Sequence, residues 1–327
     1  MLTPQLSIII PTYNRKDILL RTLKGYELQT ARGEILEILV IDDGSTDGTG
    51  EAVEGFSATS SLKVRCLVQQ NKGQAAARNY GIREAHGTLI LLGDDDIIPA
   101  PTLVAEHISW NRKYPEDNFA ILGHVSWSPE VNPTPFMEWM GLYKLFGYGF
   151  LVPGKEVGIS CFYSCNMSLK RDFLLREGLF DENFRTYGFE DTELGYRLTK
   201  KGLHTLYNPE AIGYHLKRMS YADACRRQEM IYLAREYFDA TEAGQFLRHQ
   251  APNAKREVLK HNLKMAVAKV VAPLLSPLTP VLDSHVQLPR VAYELLYSCV
   301  AMKAQASYKR SRSRHQEAKE SIASNVR

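Results

Sequence analysis

The sequence predicts an α/β fold: a mostly parallel sheet with helices on both faces, followed by a C-terminal extension that is helical only. Three observations predict it. Short runs rich in Ile, Val and Leu recur through the first third of the 327 residues. Amphipathic stretches separate these runs. Polar, turn-forming and acidic residues follow each run at once. Strands alternating with helices imply right-handed crossovers and parallel pairing, and such sheets bind ligands at the carboxyl ends of their strands.

The first run is LSIII at 6–10, and Ile18, Leu19, Thr22 and Leu23 mark the apolar face of the helix after it. The second is EILEILVI at 34–41 and the third LKVRCLV at 62–68. A helical stretch with Ala75, Ala76, Asn79 and Ile82 on one face leads to the fourth, TLILL at 88–92. Each run has the length and content of a buried strand. The segments that follow them are PTYNR, DDGSTD, QQNKGQAAARN and GDDD, so polar chemistry converges on one sheet edge. FAILGHVSW (119–127) and FYSCNMSLK (162–170) read as strands flanking a Pro- and aromatic-rich stretch. YGFEDTELGYRLTKKG (187–202) reads as a loop entering a helix, with Leu194 and Leu198 at buried spacing and Gly202 as its stop. Beyond about residue 219 the pattern is helical. The apolar segment 265–282 contains Lys269 and three prolines, which suits a packed helix pair or an interfacial element better than a membrane span.

Composition narrows the class. Apolar content of 44% and charged content of 24% are those of an ordinary soluble protein. The net charge of +3 is unevenly placed, because residues 301–327 hold seven Lys and Arg against two Glu. The rest is slightly acidic, so no nucleic-acid partner is expected, while the tail suits an anionic surface. Five cysteines, an odd and sparse set, suggest reduced thiols in a cytoplasmic protein. No basic region precedes the apolar stretch in MLTPQLSIII, so no signal peptide is expected.

Asp94, Asp95 and Asp96 follow the fourth strand directly. Three adjacent carboxylates are either a solvated turn or a site for a hard divalent cation, Mn²⁺ or Mg²⁺, which takes oxygen ligands and keeps substrate phosphates in its shell. No GxxxxGK[ST] loop occurs, and the turn after the first strand has no glycine, so a Gly-rich phosphate cradle is missing there. Asp42 and Asp43 end the second strand where a base or ribose is hydrogen-bonded, and Tyr13 stands where it can cover a base face.

These motifs together carry a resemblance. SIIIPTYNR (7–15), VIDDGSTDGT (40–49), NKGQAAARNYGI (71–82), LLGDDDIIP (91–99) and YGFEDTELGYRL (187–198) resemble, in order, those of the family 2 inverting nucleotide-sugar glycosyltransferases with the Rossmann-like GT-A fold. The resemblance covers about residues 5–216. It implies a GT-A domain over 1–218, with a nucleotide-binding half to about 100 and an acceptor half from about 101. A helical extension would follow over 219–300, with a flexible basic tail over 301–327. Pro11, Thr12, Tyr13, Asp42, Asp43, Gly73 and Arg78 would bind the nucleotide, Asp43 by reading a uracil-type edge. Asp94 and Asp96 would be the outer members of the D-x-D motif, with Asp96 the main metal ligand, Asp94 and Asp95 facing ribose and metal, and His215 completing the metal site. Glu190 and Asp191 would supply the catalytic base, Asp191 being the matched residue; the alternative is a helix cap.

The partners implied are a nucleoside-diphosphate sugar, UDP-linked by expectation, and a glycan or lipid-linked acceptor. Peripheral attachment of the C-terminal region to the inner membrane face is a further expectation. Trp127, Trp139, Tyr143, Phe146, Tyr148 and Phe150 read either as acceptor-stacking groups or as core, and Asn166 is expected to face the donor sugar. A sugar nucleotidyltransferase and a non-catalytic sugar-nucleotide-binding protein are the alternatives.

Overall fold

The computed structural model describes residues 5–185, 187–250, 266–267, 270–271, 274 and 276–325. The chain divides into two compact units. The first comprises residues 1–133, 140–185 and 189–218, and the second residues 134–139, 186–188 and 219–327.

In the first unit the strands are β1 (Leu6–Thr12), β2 (Ile35–Asp42), β3 (Val64–Val68), β4 (Leu89–Gly93), β5 (Ile97–Pro99), β6 (Phe119–Trp127), β7 (Asn166–Lys170) and β8 (His204–His215). They form one sheet in the order β3-β2-β1-β4-β7-β6-β8-β5. The β3-β2-β1-β4 half is parallel throughout. Beyond β4 the sheet is mixed: β7 runs antiparallel to β4 and to β6, β8 is parallel to β6, and β5 is antiparallel to β8. The sheet is thus mostly parallel, as expected, with its antiparallel pairings confined to the part beyond β4.

Strand alternation sends side chains to opposite faces. Leu6, Ile8 and Ile10 of β1, with Ile38 and Val40 of β2, share one core with Leu19 and Leu23 of α1 (Lys16–Glu27), Val53 of α2 (Thr49–Thr59) and Leu103, Val104 and Ile108 of α4 (Leu103–Lys113). The residues between them face α3 (Gln74–Glu84): a Cβ at Gly81 would lie 2.5 Å from Ile9 and 3.2 Å from Ile41. Helices thus cover both faces, and Gly81 allows α3 to approach closely.

The later elements of this unit are α6 (Arg171–Glu177) and α7 (Glu190–Lys200). Helix α7 ends where Gly202, at φ +89°, donates its amide to Thr199 O at 3.0 Å while Leu203 N reaches Leu198 O at 3.0 Å, a left-handed stop. The segment 162–170 becomes strand only from Asn166.

The second unit is helical. Its long members are α8 (Tyr221–Ala240), α9 (Glu242–Gln250) and α10 (Arg290–Asn325). Ser220 caps α8 with a reciprocal bond pair to Asp223. Residues 134–139, which include all of α5 (Pro135–Met140) but its last residue, belong to this unit, where Trp139 stacks on Tyr293 at 5.9 Å and meets Tyr297 edge-on at 5.6 Å. The boundary expected at residue 300 falls inside α10, and residues 301–325 continue that helix rather than forming a separate tail segment. Residues 251–265 of the expected extension, and 265, 268, 269, 272, 273 and 275 of the apolar segment, lie outside the described residues. Residues Ser276–Asp283 of that segment form 3-10 turns. Among the described residues no helix is long and apolar enough to cross a membrane.

Candidate active site

The carboxyl ends of β1, β2 and β4 place the acidic loops side by side because the three strands are adjacent and parallel. Pro11, Thr12, Tyr13, Arg15, Asp43, Gln74, Ala77 and Asp95 line a cleft of about 180 Å³ at this edge. The Tyr13 side chain is 47% exposed and free to meet a planar group, whereas Thr12 is buried.

Asp43 is buried and held by three donors. Gln69 Nε2 reaches Oδ1 at 2.7 Å, the Lys72 amide reaches Oδ1 at 2.8 Å, and the Gly73 amide reaches Oδ2 at 2.9 Å. Gly73 sits at φ +91° at the mouth of α3, a conformation that suits glycine and turns its amide to the carboxylate. Asp42 instead braces its own loop by accepting from the Ser45 amide at 2.8 Å.

The three aspartates point in different directions. Asp94 Oδ1 accepts from Arg78 at 2.7 Å. Asp95 accepts from Thr12 Oγ1 at 2.8 Å and from Arg15 at 2.7 Å, while its carbonyl accepts from Thr22 at 2.7 Å. Asp96 Oδ2 accepts from Arg15 at 2.6 Å and faces His215 Nε2 at 3.6 Å. Burial raises the Asp94 carboxyl, against the pull of Arg78. Burial likewise holds Asp95 well above the usual carboxylate range, against the pull of Arg15. For Asp96, His215 and Arg15 overcome the burial effect and hold it low. Burial lowers His215, against the pull of Asp96 and Asp94.

Arg78 is not on the open side of the cleft. It is 2% exposed, lies under the acidic cluster with its guanidinium 5.6 Å from the centre of the Phe180 ring, and has NH1 3.9 Å from Glu190 Oε1. It links Asp94 to the start of α7 from below. Asp191, one residue on, accepts from the Ser164 amide at 3.0 Å through Oδ2, while its buried Oδ1 has no hydrogen-bond partner. The turn that presents this pair is strained, since Phe189 takes φ +70° after Gly188 at φ +120°. A bulky residue there costs of order 1–3 kcal/mol and persists where surrounding structure holds it.

Asp96 Oδ2 and His215 Nε2, 3.6 Å apart, are spaced as two ligands of one octahedral cation can be. Among the described residues no three His, Cys, Asp or Glu groups converge as a complete cage. Mg²⁺-type sites at phosphates use one or two carboxylates and fill the rest of the shell with phosphate oxygens and water, so the residues fit such an ion. Asp94 is turned to Arg78 rather than toward that pair.

Asn166 does not face the cleft. It is 2% exposed, accepts from His107 Nε2 at 2.9 Å and donates to the Ala211 carbonyl at 2.8 Å, so the expected contact with the donor sugar gives way to a core role. Of the aromatic stretch, Trp127, Trp139, Phe146 and Tyr148 are buried, and Tyr143 and Phe150 are exposed. Sequence reasoning passed over Arg15, Gln69, Gln74 and Ser164. Arg15 had a signal, its place at the end of PTYNR, but nothing in the spacing paired it with residues 80 positions away.

The profile of "Glycosyl transferase family 2" matches residues 7–178. Among curated relatives, the validoxylamine A glucosyltransferase of Streptomyces hygroscopicus subsp. limoneus is 31% identical over 234 residues, covering 64% of this chain and 51% of that one. The uncharacterized glycosyltransferase YfnE of Bacillus subtilis is 28% identical over 257 residues, 65% of each chain. The chain thus spans between half and two thirds of the length of these relatives. Among solved structures, the mannosyltransferase PcManGT of Pyrobaculum calidifontis, in complex with GDP-Man and Mn²⁺, superposes with a TM-score of 0.61 at 19% identity. It covers 94% of this chain and 88% of its own, a likeness of fold.

Proposed function

The chain belongs to glycosyl transferase family 2, and from that premise we propose that it is a metal-dependent inverting enzyme moving a sugar from a UDP-linked donor to an acceptor hydroxyl. Of the three readings that the residues left open, membership selects glycosyl transfer from a nucleotide sugar. The observation that carries the finer reading is the state of Asp191: one oxygen is pinned by the Ser164 amide, and the other is buried without a partner. A carboxylate so held is oriented, with one oxygen not committed to any donor.

In the reaction the acceptor oxygen forms a bond to the anomeric carbon as the bond to the diphosphate oxygen breaks on the opposite face. Asp191 Oδ1 takes the acceptor proton, and the bond electrons leave with the nucleoside diphosphate. The transition state is oxocarbenium-like. A base of this kind contributes ~10²–10⁴-fold. Asp96 and His215 would hold the divalent cation, with Asp94 and Asp95 beside it, and when bound that cation neutralises charge growing on the leaving diphosphate. Tyr13 covers the base, and Asp43 reads its edge.

The satisfaction of Asp43 supports uracil. A carboxylate has about four lone-pair sites, and three are taken by Gln69, Lys72 and Gly73. One acceptor site remains, on Oδ2, which suits the single imide N–H of uracil. Guanine presents two adjacent donors and would ask for two.

The test is transfer from UDP- and GDP-linked sugars to a panel of acceptors, with Mn²⁺ or with EDTA, and the anomeric configuration of the product read by NMR. Inversion, Mn²⁺ dependence and UDP preference are expected. Retention of configuration, undiminished turnover in EDTA or GDP preference would each remove the corresponding part of the reading.

A glycan or lipid-linked acceptor at the cytoplasmic face of a membrane fits the second unit. Val270, Leu274 and Leu278 are exposed there, and residues 301–327 carry the basic surplus. Each basic residue near an anionic surface contributes about 1 kcal/mol. Co-sedimentation with anionic vesicles at low salt and release at high salt are expected; no binding at low salt overturns this placement.

A further inference from the structure

Arg15 makes the most economical use of the acidic cluster, and it does so at the atom a cation would need. One guanidinium spans two carboxylates: NH1 donates to Asp95 Oδ1 at 2.7 Å and NH2 to Asp96 Oδ2 at 2.6 Å. Asp96 Oδ2 is also the oxygen that faces His215 Nε2 at 3.6 Å. The other oxygen of Asp95 is fixed by Thr12 at 2.8 Å, so that carboxylate cannot follow Arg15 if it moves. The carboxylates are 5% and 8% exposed, whereas the Arg15 side chain is 36% exposed and lines the open cleft. Asp95 is therefore fixed, Asp96 is buried, and the cation bridging them has room to leave.

We propose that Arg15 is a built-in counter-cation: it neutralises Asp95 and Asp96 when no divalent ion is bound, and its hold on Asp96 and the binding of that ion exclude each other. The inference rests on the metal reading of Asp96 and His215 and adds the device that regulates it. A guanidinium NH and a divalent ion cannot both occupy the inner side of one carboxylate oxygen, because their charges repel and the ion's ligand sphere is about 2.1 Å in radius. Displaced Arg15 would lose its partner, which is costly for a half-buried charge unless another anion is at hand. A nucleoside diphosphate in the same cleft supplies that anion, and Arg pairs with phosphate through its fork of donors. Metal alone should thus bind weakly and metal with nucleotide tightly, and by linkage each ligand should raise the other's affinity by the same factor.

The experiment measures Mn²⁺ affinity by EPR of the free ion, with and without saturating UDP, on the full chain as wild type, R15Q and R15K. Melting temperature checks that each variant is folded. Without UDP, R15Q should bind Mn²⁺ about tenfold more tightly than wild type. R15K, which keeps the charge but loses the two-pronged hold, should gain about threefold and decides the matter if R15Q does not fold. The gain in Mn²⁺ affinity on adding UDP should shrink in both variants. Unchanged or weaker Mn²⁺ binding by the folded variants without UDP overturns the counter-cation while leaving the metal site standing. Failure of wild type and variants alike to bind Mn²⁺ with UDP present removes the metal site and this inference together.

Discussion

The two ends of the same strands solve the problem of buried charge in opposite ways. At the amino end, Glu37 of β2 is fully buried and surrounded by donors. Ser7 reaches it at 2.9 Å, Arg65 at 2.8 Å, the His86 amide at 2.7 Å and the His86 ring at 3.1 Å. Burial alone would raise its carboxyl, but these donors hold it down at about 2. At the carboxyl end, Asp94, Asp95 and Asp96 share two guanidiniums, Arg15 bridging Asp95 and Asp96 and Arg78 bound to Asp94. The first arrangement is closed and adds stability. The second gathers adjacent carboxylates that repel one another and leaves one oxygen of Asp191 without a hydrogen-bond partner, which costs stability and leaves chemistry to be done. Buried carboxylates alone do not mark a site; the balance of donors around them does.

Substitutions at the two ends should therefore separate activity from stability. The largest effect is expected for Asp191→Asn. It keeps the size of the side chain but cannot take a proton, so turnover should fall by ~10²–10⁴-fold, about 3–5 kcal/mol of barrier. Nucleotide affinity and melting temperature should stay near wild type. Single-turnover transfer with each variant reads this, and near-normal transfer would disqualify Asp191; a greater loss in Glu190→Gln would move the role to that residue.

Glu37→Ala is next, and its effect should be on folding alone. Removing the carboxylate strands the Arg65 guanidinium, the His86 amide and the Ser7 hydroxyl, for a loss of about 3 kcal/mol. Urea unfolding measures it, and donor affinity per folded molecule should be unchanged. A loss below about 1 kcal/mol would mean that the amino end is not the stabilising partner in the comparison.

Asp96→Ala should do the reverse. Mn²⁺-dependent UDP affinity should fall by at least the ~10–100-fold that losing a ligand's supporting partner costs. The variant should stay folded with a somewhat lower melting temperature, because Arg15 loses one of its two carboxylate partners. Normal Mn²⁺ dependence of UDP binding would sink the assignment.

The smallest effect is in pH. The folded value of Glu37, about 2, lies below its ordinary 4.5. Its contribution to stability is therefore complete above about pH 4.5 and lost as pH falls through about 2. The stability gap between wild type and Glu37→Gln, about 1–2 kcal/mol, should close over that window. A gap that is constant from pH 5 to pH 2 would show that the charge is not what matters there.

Much of this was legible in the chain. The first four strands, and the loops that end them, could be read because a strand buried on both faces is a continuous apolar run and its ligand-binding end is an abrupt change to polar residues. Gly202 and the start of α7 could be read because caps are local. Strand β8 could not. HTLYNPEAIGYH has no apolar run and carries Pro209, and it is strand because β6 pairs along it, with a register shift between Leu122 and His124. Nor could Asn166 be placed, because what captures it is His107, 59 positions earlier in the chain.

The sequence by itself determined the parallel four-stranded half, the adjacency of its acidic loops and the family, since each depends on patterns a few residues long. Tertiary structure alone decided which carboxylates are paired. It turned Asp94 to Arg78, clamped Asp95 and Asp96 under Arg15, and left one oxygen of Asp191 without a partner. It also joined residues 134–139 to the helical unit. The physical reason is that hydrogen bonding and charge pairing act over about 3 Å in space, between residues 16 to 81 positions apart in sequence, and no local pattern encodes such a distance.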